Sequence, residues 1–312
     1  IKERNASADH SLWDSTRGVQ KMLEPNTTVA ETTESTGLTA FGSDGFTVGA
    51  LAQANTSSDT YVAWAWKANG GTRSTFTESG ANPGGGYQVN TTAGFSIVDY
   101  TGTGSAGTIS HGLTVAPDVI IVKNREATED WCVYHAANTS APETDFLKLN
   151  THAATADATV WNDTAPTTSV FSVGTDADVN SDGVTYIAYC FAEKQGYSKF
   201  GKYTGNGDAD GTFVYTGFKP ACVIAKETSG SGGNWRIFDN KRAGYNEDNY
   251  RLTPNENSAE STAVHLDLLS NGFKFRNTGT SYNGSGDTYV YMAWAENPFV
   301  TSTDTNSIPT PA

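Results

Sequence analysis

Basic residues, cysteine and long apolar runs are all scarce in this sequence, and each shortage removes a class of protein. Twenty lysines and arginines stand against 34 acidic residues, a formal charge of −14. A field of that sign repels phosphate backbones and anionic membranes, so nucleic acid is not an expected partner. No apolar stretch approaches the roughly 20 residues a membrane helix needs, and no membrane insertion is expected. Cys132, Cys190 and Cys222 are the only cysteines and show no C-x-x-C spacing. They indicate neither a disulfide framework nor a zinc site, and read as small buried apolar side chains. Ile1 opens the chain without a Met or a basic-then-apolar signal segment, which leaves a processed product or a part of a longer protein.

Helix formers are scarce and unpatterned, whereas Gly (32 residues), Thr, Ser, Asn and aromatics are abundant. That balance predicts short strands joined by tight turns, an all-β fold. At 312 residues the chain is long enough for two or three domains.

Self-comparison supplies the organisation. Segments 43–67, 170–193 and 270–296 end alike, in TYVAWAWK, TYIAYCFAE and TYVYMAWAE; Phe46, Phe171 and Phe273 share one position, and Tyr61, Tyr186 and Tyr289 another. GFSIVDYTGTG at 94–104 recurs as GYSKFGKYTGNG at 196–207, and APDVIIVKNR recurs as KPACVIAKET, which sets Pro117 against Pro220 and Lys123 against Lys226. Trp131 matches Trp235, and Tyr134 matches Phe238. A first copy enters at this middle section, because Lys2 and Trp13 have the same 11-residue separation as Lys123 and Tyr134, and LEPNTTVAE at 23–31 recurs as LTPNENSAE at 252–260. The expected fold is therefore three tandem antiparallel β-sandwich-like repeats, the first truncated at its N-terminal side: repeat 1 at 1–68, a Gly/Ser/Thr-rich linker at 69–93, repeat 2 at 94–195, repeat 3 at 196–299 and a tail at 300–312. Repeat 1 lacks its opening strands. A sandwich without them exposes unpaired edges, so the missing strands are expected from residues upstream of Ile1, from the tail or from a neighbouring subunit.

Catalytic signatures are absent. No H-E-x-x-H, G-x-S-x-G, P-loop or dinucleotide fingerprint occurs, and the five histidines read as surface or turn residues. Asp176, Asp178, Asn180 and Asp182 form D-x-D-x-N-x-D-G, in which D-x-N-x-D-G is the front half of a calcium loop. They are the candidate calcium ligands, but Tyr189 falls where the bidentate Glu belongs when Asp178 is counted first, and solvated Asx turns account for the same residues. The Asn206, Asp208, Asp210 cluster has the same alternation and the same weakness. No other cofactor is indicated. Arg125, Glu129 and Asp130 in one loop, and Lys241, Arg242 and Tyr245 in another, are the candidate binding residues, since loops on rigid scaffolds carry recognition. Asn-x-Ser/Thr triplets such as those at Asn26, Asn55 and Asn90 read as chance in so Asn- and Thr-rich a chain.

The repeated phrases GFSIVDYTGTGSAGTISHGL, YIAYCFAEKQGYSKFGKYTGNGDADGTFVYTGFKPA, NWRIFDNKR and LLSNGFKF with YVYMAWAENPF resemble repeats of tail-fibre-like structural proteins of marine bacteriophages. That resemblance, over nearly all of 1–300, implies an oligomeric, extracellular virion-surface protein that contacts other virion subunits or copies of itself, and a host-surface glycan or protein. The expected function is a non-enzymatic structural or adhesin role. The alternative is a secreted carbohydrate-binding β-sandwich module, suggested by the many Trp and Tyr residues, and behind it a polysaccharide-degrading enzyme, which needs two carboxyl groups roughly 5–10 Å apart in a cleft.

Overall fold

The computed structural model describes residues 1–242 and 246–298, with no account of the side chains of 248 and 249. The N-terminal stretch carries β1 (Lys2–Glu3), β2 (Lys21–Met22), β3 (Thr32–Thr33), β4 (Leu38–Phe41), β5 (Phe46–Val48), the one-turn helix α1 (Ala52–Asn55) and β6 (Tyr61–Val62). The middle carries β7 (Ser74–Phe76), β8 (Gly84–Asn90), β9 (Phe95–Thr101), β10 (Gly107–Ser110), β11 (Val119–Asn124), β12 (Trp131–His135), β13 (Asp145–Lys148), β14 (Ala156–Asp157), β15 (Val170–Val173), α2 (Ala177–Asn180) and β16 (Thr185–Phe191). The last part carries β17 (Ser198–Thr204), β18 (Phe213–Tyr215), β19 (Pro220–Glu227), β20 (Arg236–Asp239), β21 (Asp248–Arg251), β22 (Ser261–Leu269), β23 (Gly272–Phe275), α3 (Thr280–Asn283) and β24 (Thr288–Ala295).

The fold is mostly β, in several antiparallel sheets with few, short helices. One sheet has eight strands in the order β14-β13-β12-β11-β16-β9-β8-β7, and two have four, β17-β24-β19-β20 and β18-β23-β22-β21. β10 pairs with β15, β1 with β6, β2 with β3 and β4 with β5. No helix among the described residues is long and apolar enough to cross a membrane.

The apolar runs TYIAYCF and TYVYMAWA become β16 and β24, buried along nearly their whole length because each sheet is covered on both faces. Tyr100, Val122, Cys132, Tyr134 and Tyr186 on one face of the eight-stranded sheet share an apolar cluster with Ile109, Phe171 and Val173 of β10 and β15. Ile97, Val119, Trp131, Ile187 and Phe191 belong to a second cluster with Val290, Met292 and Trp294 of β24 and with Leu23. A third joins Tyr203, Val223, Phe238, Tyr289 and Tyr291 to Val214, Leu266, Phe273 and Phe275. Cys132 and Cys190 are buried and Cys222 is half-buried.

Two expectations change. The Gly-rich stretch 69–93, whose composition suggests a linker, holds β7 and β8, and β8 pairs with β9 over the whole of Gly84–Asn90. Its glycines are needed for approach: a Cβ on Gly85 would stand 2.0 Å from the Asp99 carbonyl oxygen, and one on Gly86 2.6 Å from that of Ser74. Arg73 clamps the same edge through two bonds to Asp99, at 2.8 and 2.6 Å. The histidines also differ from the surface reading, for His10, His111, His135 and His265 are buried and only His152 is exposed. At His135 the backbone N–H of Ala137 donates to Nδ1 at 3.1 Å, which leaves the proton on Nε2, facing the Tyr291 carbonyl at 3.2 Å. A neutral ring with both nitrogens bonded can be buried without penalty for lost partners.

Candidate interaction surfaces

The four candidate calcium ligands do not converge. The Asp176 carboxylate caps α2 by accepting the Asp178 backbone N–H at 2.8 Å. Asp178 turns away to accept the Asp130 N–H at 3.0 Å and the Cys132 thiol at 3.6 Å. Asn180 is fully buried; its amide donates to the Ser105 and Gly174 carbonyls, and its Oδ1 accepts the Thr103 N–H at 2.9 Å. Asp182 lies against the turn at Gly104. Burial, with Asp176 beside it, pushes the Asp178 carboxyl up to about 6. Among the described residues no group of three or more His, Cys, Asp or Glu side chains is placed to hold a metal.

The candidate binding loops are likewise engaged within the molecule. Arg125 forms a fork on Glu31, at 2.9 and 3.0 Å. Glu129 donates its backbone N–H to Thr28 at 3.1 Å, and Asp130 accepts from Asn150 at 2.7 Å and pairs with Lys148. Lys241 donates its backbone N–H to Asp239. Arg242 binds Asp239 and Glu260, both at 2.7 Å, and lies over the Trp64 ring at 5.7 Å. Tyr245 lies outside the described residues.

Of these contacts, Arg125–Glu31, Glu129–Thr28 and Arg242–Trp64 cross between parts of the chain far apart in sequence, which meet along three seams. Where 1–68 meets 94–195, Glu31 N–H donates to the Arg125 carbonyl at 2.8 Å, the Trp131 indole donates to the Glu24 carbonyl at 3.2 Å, and the Tyr189 hydroxyl donates to Asp14 at 2.7 Å. Where 94–195 meets 196–298, Thr155 N–H donates to the Thr228 carbonyl at 3.2 Å, the Trp235 indole to the Lys148 carbonyl at 2.8 Å, and His135 faces Tyr291. Where 196–298 meets 1–68, Glu260 N–H donates to the Arg4 carbonyl at 2.7 Å, His10 Nε2 stands 3.1 Å from the Thr253 carbonyl, and the Trp64 indole donates to Asp239 at 3.1 Å. Trp66, Phe191 and Trp294 meet edge to face where all three parts converge, with ring centroids 5.1, 5.8 and 6.1 Å apart.

Buried charge concentrates along these seams. Lys123 is fully buried and its ammonium donates to the carbonyls of Thr28 at 2.9 Å and Glu129 at 2.8 Å; Lys226, also fully buried, reaches those of His152 at 3.2 Å and Glu227 at 2.6 Å. Burial brings both amines down to about 8. Arg17, its side chain wholly inaccessible, binds Asp14 at 2.5 Å and Glu31 at 3.1 Å. Burial alone would raise the Asp14 carboxyl, but Arg17, a backbone N–H and the Tyr189 hydroxyl hold it below the usual range. Sequence reasoning missed these partners, although the signal was present: Lys-x-Arg occurs at Lys2–Arg4 and Lys123–Arg125, and the two L-x-P-N segments each end in the glutamate, Glu31 or Glu260, that such an arginine meets.

Comparison with known proteins adds little about activity. No curated protein matches. A solved structure entitled "Crystal Structure of the STIV MCP" is 8% identical with a TM-score of 0.15, over 73% of this chain and 92% of that one, a likeness too slight to bear on fold or function. The profile of one family, described as "Domain of unknown function (DUF7483)", matches residues 1–298, and the chain belongs to that family.

Proposed function

We propose that the chain is a non-enzymatic structural or adhesin module of a virion surface, built from three copies of one antiparallel β-sandwich unit closed into a ring around Trp66, Phe191 and Trp294. One observation carries the reading: equivalent residues make equivalent bonds. Lys2 lies opposite Val62, Lys123 opposite Ile187 and Lys226 opposite Val290; the Glu31–Arg125 and Glu260–Arg4 backbone bonds stand at matching positions, and so do the contacts of Trp131, Trp235 and His10 with the carbonyls of Glu24, Lys148 and Thr253. In such a ring, arginines, lysines and carboxylates that a catalytic site would draw on hold units to one another. The role that follows is mechanical, a rigid array presenting loops and edges to other virion subunits or to a host surface; the virion assignment itself rests on the phage-like wording of the repeats.

The test is mass spectrometry and immuno-electron microscopy of purified particles. Stoichiometric presence on the particle surface is expected, and absence from particles overturns the proposal. A secreted carbohydrate-binding module is the second reading. Exposed Phe213 and Tyr215 on β18 favour it, whereas Trp131, Trp161, Trp235 and Trp294 are buried and unavailable as sugar platforms. Binding of marine polysaccharides on a glycan array, lost in Tyr215→Ala, would establish it.

A further inference from the structure

We infer that Arg236, Arg251 and His265 hold a small oxoanion, of the phosphate or sulfate class, inside the part of the chain at 196–298. The donors that receive it are buried and unpartnered: Arg236 Nε, Arg251 Nε and His265 Nε2 meet no acceptor. The three side chains converge on α3. Arg236 donates to the Ser281 hydroxyl at 3.2 Å and to that of Thr253 at 2.6 Å, Arg251 bonds the Tyr282 hydroxyl, and His265 Nδ1 lies 3.0 Å from that same hydroxyl. A hydroxyl that accepts from Arg251 gives its own proton to Nδ1, which leaves the imidazole proton on Nε2 as a third free donor.

The charge gathered there has no counter-charge. Arg242 nearby is paired with Asp239 and Glu260, but among the described residues Arg236 and Arg251 meet no carboxylate. Glu256, which acts on Arg236 through its charge, is exposed and bound to Asn234 and Ser258. Burial, with Arg251 beside it, brings Arg236 down to about 10; burial, with Arg251 and Arg236 beside it, brings His265 down to about 4. An anion between the three offsets this repulsion. Arginine offers Nε and Nη as a fork that fits an oxoanion, and Nε is the atom left over on both. Arg236 and His265 are more than nine-tenths buried, so an ion of a few atoms fits and no macromolecule reaches it.

The part at 94–195 shows that the fold does not need these charges. Cys132 contacts Asp178 as Arg236 contacts Ser281, and Phe146 precedes Leu147, opposite Val133, as Arg251 precedes Leu252, opposite Ile237. Trp161 meets Tyr134 as His265 meets Phe238, with ring centroids 6.0 and 5.7 Å apart, and the Val179 carbonyl takes the Tyr100 hydroxyl as the Tyr282 carbonyl takes that of Tyr203. Cys132, Phe146, Trp161 and Val179 pack in one apolar cluster, so four places that are apolar core in one unit are Arg, Arg, His and Tyr in the next. A buried guanidinium without a partner is costly, and two of them with a histidine at places the fold fills with apolar groups point to a ligand. The comparison rests on the three-copy reading; the unpartnered donors do not.

The test is isothermal titration calorimetry of the full chain, dialysed into a chloride buffer, with sodium phosphate and separately with sodium sulfate at constant ionic strength. One saturable site is expected, weakened at least about tenfold by Arg251→Phe and by Arg236→Cys, as loss of one charged hydrogen bond implies; both variants carry the residue that the 94–195 part has at that place. A second measurement needs no substitution. In the chain carrying isotope-labelled histidine, the His265 Nε2–H resonance should move downfield and exchange more slowly at a saturating concentration of the anion, while those of the other histidines stay in place. No saturable site for either anion, binding indifferent to both substitutions, or a His265 resonance that does not respond overturns the inference. None of these results bears on particle location or on the seams, so the proposed function stands or falls separately.

Discussion

Arg17 offers a sharp test of the seams. It binds Asp14 and Glu31, donates to the Leu12 and Lys21 carbonyls, and reaches Tyr189 across the seam, all without solvent contact. Arg17→Met keeps the length and apolar stem but leaves two carboxylates facing a thioether. Glu31 retains Arg125, while Asp14 retains two backbone N–H donors and the Tyr189 hydroxyl, so the net loss is set mainly by uncompensated charge. Breaking a buried pair from one side costs about 3–5 kcal/mol. The loss should depend on pH. In the wild type the lowered Asp14 pKa contributes stability that is present above the unfolded carboxyl range and fades below it, whereas in the variant burial is opposed only by the remaining N–H donors and the Tyr189 hydroxyl, and protonation relieves the penalty. Urea denaturation should therefore show a gap of about 3–5 kcal/mol at pH 7 that narrows by at least about half at pH 4. A gap under about 1 kcal/mol, or one of constant size, would refute the reasoning.

Three further outcomes follow. Burial lowers the His135 pKa to about 4, from 6.5; the unfolded chain binds more protons through that window, so stability is full above about pH 6.5 and falls by up to about 3 kcal/mol toward pH 4, and chemical denaturation of His135→Gln across that range should show a flatter slope. Gly85→Val sets a Cβ against the Asp99 carbonyl and should detach β8 from β9, read as lost amide protection at Val98 and Tyr100 and as new protease cleavage within 69–93. Because Asp176 and Asp178 are engaged by backbone N–H groups, 5 mM calcium should move the melting temperature by less than about 1 °C, where saturation a hundredfold above Kd would add about 2.7 kcal/mol.

Much of the antiparallel pattern was legible because it is written locally: TYIAYCF and TYVYMAWA can only be strands buried on both faces, and T-G-x-G carries its own turn. β7 and β8 were not, since Gly84, Gly85 and Gly86 look like a flexible tether until the backbone nitrogen of Glu78 and the carbonyls of Asp99 and Ser74 are seen to crowd them. The partners of the loop arginines were not legible for a related reason: the carboxylates that meet Arg125 and Arg242 lie 94 and 18 residues away, and spacing does not reveal which charges meet. The histidines needed the backbone as well: at His111 and His135 an N–H two residues on accounts for the second nitrogen of the buried ring.

The most direct measurement is cryo-electron microscopy of the native assembly that contains this chain. The account predicts a particle-surface component with its three seams intact. A chain found free of any particle, with a glycan held in a cleft, would contradict it.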